Sequence, residues 1–72
     1  MKKKKRIDHY EIEIDGQIVA FDVVFQREGI MEDYYSKTVR INSKTYEVEL
    51  FIWYNAHDDT AIYRLEATQI DI

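Results

Sequence analysis

The pattern of apolar and polar positions is most informative over residues 46–54, Tyr-Glu-Val-Glu-Leu-Phe-Ile-Trp-Tyr. The stretch alternates at its start and becomes apolar on both faces at its end. That is the signature of a central strand, half solvated at one end and covered at the other. Upstream, residues 7–15 and 17–26 predict a hairpin around Asp15-Gly16, a pair suited to a type I′ turn because both central residues need positive φ. A two-residue tip fixes the register. It sets Ile14 opposite Gln17, Ile12 opposite Val19, Tyr10 opposite Phe21 and Asp8 opposite Val23 on one face. The other face pairs Glu13 with Ile18, Glu11 with Ala20 and His9 with Asp22. The first set is mostly apolar and the second mostly charged, so pairing and patterning agree.

Residues 27–37 break the alternation. Gly29 interrupts it, and Ile30, Met31, Tyr34 and Tyr35 follow at one-turn spacing, which predicts a loop with one or two helical turns closing an open end or face of the sheet. Residues 38–42 and 45–54 predict a second hairpin with Ser43-Lys44 at its tip, matching Ile41 with Tyr46, Val39 with Val48 and Arg40 with Glu47. A turn centred on Asp58-Asp59 leads to a last strand over about 61–70. That register sets Tyr54 beside Tyr63, Ile52 beside Leu65, Leu50 beside Ala67, Trp53 beside Arg64 and Phe51 beside Glu66. The expected fold is mainly β. Five antiparallel strands form a small barrel or a strongly bent sheet, in the order hairpin, short helical linker, three-strand meander. The expected core is Tyr10, Ile12, Ile14, Val19, Phe21, Val23, Val39, Ile41, Tyr46, Val48, Leu50, Ile52, Tyr54, Tyr63 and Leu65.

Composition narrows the chemistry. Seventy-two residues, 46% of them hydrophobic and 14% aromatic, make one small folded domain. The chain lacks cysteine, which removes disulfides and thiolate chemistry. It also lacks proline, so no edge strand is guarded by one, and a homodimer through an edge strand is open to it. No apolar run approaches the ~20 residues of a membrane helix, and residues 7–11 are too polar to follow the basic start as a signal peptide would. A cytoplasmic protein is expected.

Charge is uneven. The formal net charge is −4, yet residues 7–72 hold 5 basic and 14 acidic groups, a net of −9. Lys2, Lys3, Lys4, Lys5 and Arg6 form a basic run at residues 1–6, expected to be a disordered solvated tail preceding a domain at 7–72. Phosphate contact or a nuclear-import signal are the sharper readings of that run. An acidic body repels nucleic acid and suits a basic partner surface.

Four groups of residues are candidates for chemistry. Phe51, Trp53, Arg64 and Glu66 share the face opposite the core set. An exposed Trp beside an Arg has the composition of an interface hot spot, and the same set could stack nucleobases. The competing expectation is that Ile30, Met31 and Tyr34 cover these rings. Glu11, Glu13, Asp22, Glu47, Glu49 and Glu66 fall on solvated faces, where spaced carboxylates either imitate a phosphate backbone or simply solubilise the sheet. His57-Asp58-Asp59 reads as a polar turn before a metal site. His9 with Asp22 reads as a surface ion pair before a catalytic base and its orienter. No phosphate loop, dinucleotide, zinc or nucleophile-elbow motif is present, so no cofactor is implied.

The expected function is that of a non-enzymatic inhibitor or regulator of the kind common among phage and mobile-element accessory proteins. It would mask a basic, apolar or nucleic-acid-binding surface of a larger protein through Phe51, Trp53, Arg64, Glu66, Glu47, Glu49, Glu11 and Glu13. The alternative is a small nucleic-acid-binding barrel that stacks bases on Phe51 and Trp53 and uses the basic run for phosphates.

Overall fold

The computed structural model describes residues 6–25 and 29–70. They form five antiparallel strands, β1 (Arg6–Ile14), β2 (Gln17–Phe25), β3 (Ile30–Ile41), β4 (Lys44–Asn55) and β5 (Thr60–Gln69). Two sheets result, one of β1-β2 and one in the order β3-β4-β5, and no closed barrel is found among the described residues. The first hairpin has the register expected of it throughout, from Ile14 opposite Gln17 to Asp8 opposite Val23. Its tip is Asp15 at φ 48° and Gly16 at φ 81°, the two positive angles that a type I′ turn requires. The basic run at residues 2–5 lies outside the described residues. Arg6, grouped with it by charge, is the first residue of β1.

The helical linker is corrected. No helix forms among the described residues, and Ile30 onward is a twelve-residue strand paired along the whole of β4. Two inward-facing polar residues, Asp33 and Lys37, had hidden the alternation of Met31, Tyr35, Val39 and Ile41. A strand is also the better solution for the backbone. One or two helical turns are unstable alone, and they would leave the far half of β4 without a ladder on that side.

Both later turns shift the register by two residues. Asn42 at φ 51° and Ser43 at φ 66° form the second tip in place of Ser43-Lys44, so Ile41 meets Lys44 and Val39 meets Tyr46. Asparagine tolerates the left-handed conformation better than lysine, which favours this choice. Between β4 and β5, Tyr54 meets Ala61, Ile52 meets Tyr63, Leu50 meets Leu65, Trp53 meets Ile62 and Phe51 meets Arg64. A shift of two preserves parity, so every side chain keeps its expected face. Asx-type bonds hold this last turn: Asn55 Oδ1 accepts from the His57 amide (2.9 Å) and Asp58 Oδ1 from the Thr60 amide (3.2 Å).

The two sheets stack on their apolar faces. The hairpin contributes Tyr10, Ile14, Val19, Phe21, Val23 and Phe25, and the larger sheet contributes Ile41, Val48, Leu50, Ile52 and Tyr54. Ile12, Met31, Tyr35, Val39, Tyr46 and Leu65 are partly buried around them. Phe25, beyond the expected core, is fully buried and stacks on Tyr54 with 4.4 Å between centroids. Tyr63, expected inside, is 54% exposed, because the two-stranded layer is narrower than the three-stranded one and leaves much of β5 uncovered. On the hairpin side its ring meets that of Tyr10, with 4.5 Å between centroids.

One polar clamp joins the layers at an end. The Arg6 guanidinium donates two bonds to Asp8 (2.9 and 3.0 Å) and two to Asp59, one to its carbonyl (2.8 Å) and one to its carboxylate (3.1 Å). It also lies over the rings of Phe25 and Tyr54. Tyr10 donates to Asp8 (2.9 Å) and Tyr54 to Asp59 (2.6 Å). The Arg6 bonds hold the Asp8 carboxyl below the usual carboxylate range, against the opposing effect of burial. Burial first, and the bond to Asp8 second, push the Tyr10 phenol up to about 12.

Candidate functional site

The hairpin covers one face of the three-stranded sheet, and the other face is open. Because β3, β4 and β5 are in antiparallel register, this outer face consists of cross-strand rows. Glu32, Trp53 and Ile62 form one row, and Tyr34, Phe51 and Arg64 the next. Ser36, Glu49 and Glu66 follow, then Thr38, Glu47 and Thr68. Two aromatic rows therefore give way to two rows that carry carboxylates.

The aromatic rows line a depression of about 510 Å³ formed in part by Glu32, Tyr34, Phe51, Trp53, Ile62 and Arg64. Trp53 and Phe51 are half-buried, and Tyr34 and Ile62 are exposed. Tyr34 leans on Phe51 with 4.9 Å between centroids, and the Arg64 guanidinium sits 4.6 Å from the Phe51 centroid on the other side. Phe51 is thus held between a phenol and a cation, a pre-ordered arrangement worth more than loose side chains would be. The Tyr34 hydroxyl donates to Glu49 (2.7 Å), which raises its pKa above the ordinary phenol value. Arg64 Nε donates to Glu66 (3.0 Å). These two bonds offset the repulsion between Glu49 and Glu66, which stand directly opposite one another.

The structure gathers six of the eight expected contact residues, Phe51, Trp53, Arg64, Glu66, Glu47 and Glu49, on this one face. Glu11 and Glu13 are not among them. They lie on the outer face of the hairpin, on the far side of the stacked sheets. The cover expected from Ile30, Met31 and Tyr34 is partial: Met31 points into the core, Ile30 is 60% exposed, and Tyr34 packs on a ring of the cluster. Tyr34, Glu32 and Ile62 were missed as site residues. The signal for the first two was the strand periodicity of β3. For Ile62 it was the two-residue register shift that puts it beside Trp53 in place of Arg64.

His9 is on the hairpin's outer face. Its Nδ1 lies 2.7 Å from Asp22 and its Nε2 3.0 Å from Glu11, so carboxylates flank both ring nitrogens. Asp22 first and Glu11 second raise its pKa above the ordinary imidazole value. At His57-Asp58-Asp59 the two carboxylates are taken up separately by turn and clamp: Asp58 caps the Thr60 amide and Asp59 is engaged by Arg6 and Tyr54. Among the described residues no group of three His, Asp or Glu side chains is placed to hold a metal ion. No helix among them is long and apolar enough to cross a membrane. Compared with known proteins, the chain matches no family model, no curated protein and no solved structure.

Proposed function

We propose that this chain is a non-enzymatic binding protein whose outer β3-β4-β5 face engages a basic surface of a larger protein. It would act inside the cell as an inhibitor or regulator that masks a nucleic-acid-binding region. The observation that carries this reading is the open depression floored by Phe51 and Trp53 and continued by Glu49, Glu66 and Glu47. Half-buried rings in a concave centre, with charge beside them, are the anatomy of a hot spot and its rim. The carboxylates would steer a basic partner and make association salt-sensitive, and the rings would set how long it stays. On the opposite side His9 is flanked by carboxylates at both nitrogens, which supports an ion cluster there and not a catalytic base.

The test is retention of proteins from a source-cell lysate on immobilised chain, compared with Trp53→Ala and with a Glu47→Gln, Glu49→Gln double variant, followed by mass spectrometry. A basic protein retained by the wild type, lost with Trp53→Ala and eluted by moderate salt is the expected result. Binding of short single-stranded or duplex oligonucleotides by micromolar protein at about 150 mM salt would instead favour the base-stacking alternative.

A further inference from the structure

Four strands lie at sheet edges, and they are not equally protected. β1 carries Asp8, His9, Glu11 and Glu13 along its length. β2 is apolar apart from Gln17 and Asp22, but Lys37 of β3 reaches across to donate to its Ala20 carbonyl and lies 4.9 Å from the Phe21 centroid. β3 turns Asp33 and Lys37 toward the inner face, a placement that discourages strand addition. β5 carries no inward-facing charge. It is ten residues long and free of proline, and its only charges, Arg64 and Glu66, both stand on the outer face.

The ladder fixes which groups β5 offers. The Ile70 amide donates to the Thr45 carbonyl (2.8 Å), in register with the rest of the β4-β5 pairing. The even-numbered residues of β5 therefore turn their backbone groups toward β4. Those of Ala61, Tyr63, Leu65 and Ala67 turn outward. An antiparallel second copy would pair odd with odd about a two-fold axis, and charge selects among the registers. With the axis at Arg64 or at Glu66, like charges meet across the dyad. With the axis at Leu65, Arg64 faces the partner's Glu66 and Glu66 faces the partner's Arg64, while Tyr63 faces the partner's Ala67. The first pairing occurs twice by symmetry, as an isologous interface requires. It also sets a cation beside Glu66, whose other cross-strand neighbour is Glu49. The exposed Tyr63 and Ala67 would gain cover on the inner face.

We infer that β5 is a self-association edge. Two copies join β5 to β5 about Leu65 into a continuous six-stranded sheet, with Arg64 and Glu66 alternating in sign across the dyad. It shares Arg64 and Glu66 with the face proposed above but requires nothing of Phe51 or Trp53, so Trp53→Ala should leave the dimer intact whatever it does to partner binding.

The test is the solution mass of the full chain by sedimentation or light scattering, up to about 1 mM, where even a millimolar dissociation constant populates the dimer. A mass rising toward twice the 8.7 kDa of the single chain is expected. Arg64→Glu and Glu66→Arg should each weaken association tenfold or more, and the double exchange should restore it. Ala67→Pro removes an outward amide and spares the β4 ladder, so it should abolish the dimer while circular dichroism stays that of a folded sheet. A single-chain mass at every concentration overturns the inference. So does a dimer that survives Arg64→Glu, or one that the double exchange fails to restore.

Discussion

The two outer faces of this molecule carry similar carboxylates and differ in what lies among them. On the hairpin, Glu11 and Asp22 are bonded to His9, and the apolar residues Ile7, Ile18 and Val24 stand exposed toward the two ends of the hairpin. On the larger sheet, Tyr34, Phe51, Trp53 and Arg64 are in contact or in adjacent rows and form a depression, with the carboxylates beside it. Acidic residues alone therefore do not locate an interface. A charge row becomes a recognition surface when it adjoins concave, pre-ordered apolar area.

The difference between the faces exists only while the sheets stay stacked. Phe25→Ala should have the largest effect, because it empties a fully buried site against Tyr54. A loss of about 3–5 kcal/mol is expected by chemical denaturation, enough to leave much of a 72-residue domain unfolded. A loss under 1 kcal/mol would mean that the layers are not held at this stack.

Trp53→Ala tests the richer face directly. The indole is half-buried on an open face, so stability should fall by about 1–2 kcal/mol, with an intermediate emission maximum from this single tryptophan. Affinity for the proposed basic partner should fall by about 2 kcal/mol or more. Glu11→Gln, on the poorer face, should leave both within about 0.5 kcal/mol.

Asp8→Asn probes the clamp that keeps the two layers in register. Loss of the paired, largely covered carboxylate should cost about 1–2 kcal/mol near neutral pH. Since its folded pKa is depressed, this contribution is present above the unfolded carboxylate range and is lost as pH falls through the folded value. Wild-type thermal stability should accordingly drop more steeply below about pH 4 than that of the variant.

The smallest effect is at His9. Its ring protons in NMR should titrate with a midpoint above the ordinary value of 6.5, and Asp22→Asn should lower that midpoint. The favourable contribution of the protonated ring is complete below the unfolded pKa and fades as pH rises through the folded one. An unshifted midpoint would dissolve the ion cluster that distinguishes this face.

How much of this was legible in the sequence depended on local chemistry. Asp15-Gly16 specified one turn geometry, so the first hairpin was readable to the residue. Asn42-Ser43 and the four-residue tip at 56–59 admit neighbouring solutions two residues apart. Parity survived there, and Trp53 and Phe51 kept their face, but their cross-strand partners moved to Ile62 and Arg64. β3 was unreadable as a strand because Asp33 and Lys37 occupy inward positions. Asp33 accepts the Tyr35 hydroxyl within the strand (3.0 Å) and Lys37 caps Ala20 of the other sheet, solutions that no periodicity announces. The division of carboxylates between opposite surfaces also lay beyond reach, since it depends on which faces of two separate sheets meet.

Among the described residues every strand pairs only with a neighbour in the chain, and this bears on the order of folding. Hairpin closure is a local event on the order of 1–10 μs, whereas stacking one sheet on the other requires contacts such as Phe25 with Tyr54 and Arg6 with Asp59, far apart in sequence. The β1-β2 hairpin can therefore form early, ahead of the surface that will cover it, and the docking of the two layers becomes the slow step. Substitutions at Phe25 should then act mainly on the rate of that docking, while changes at Asp15 or Gly16 act on the step before it.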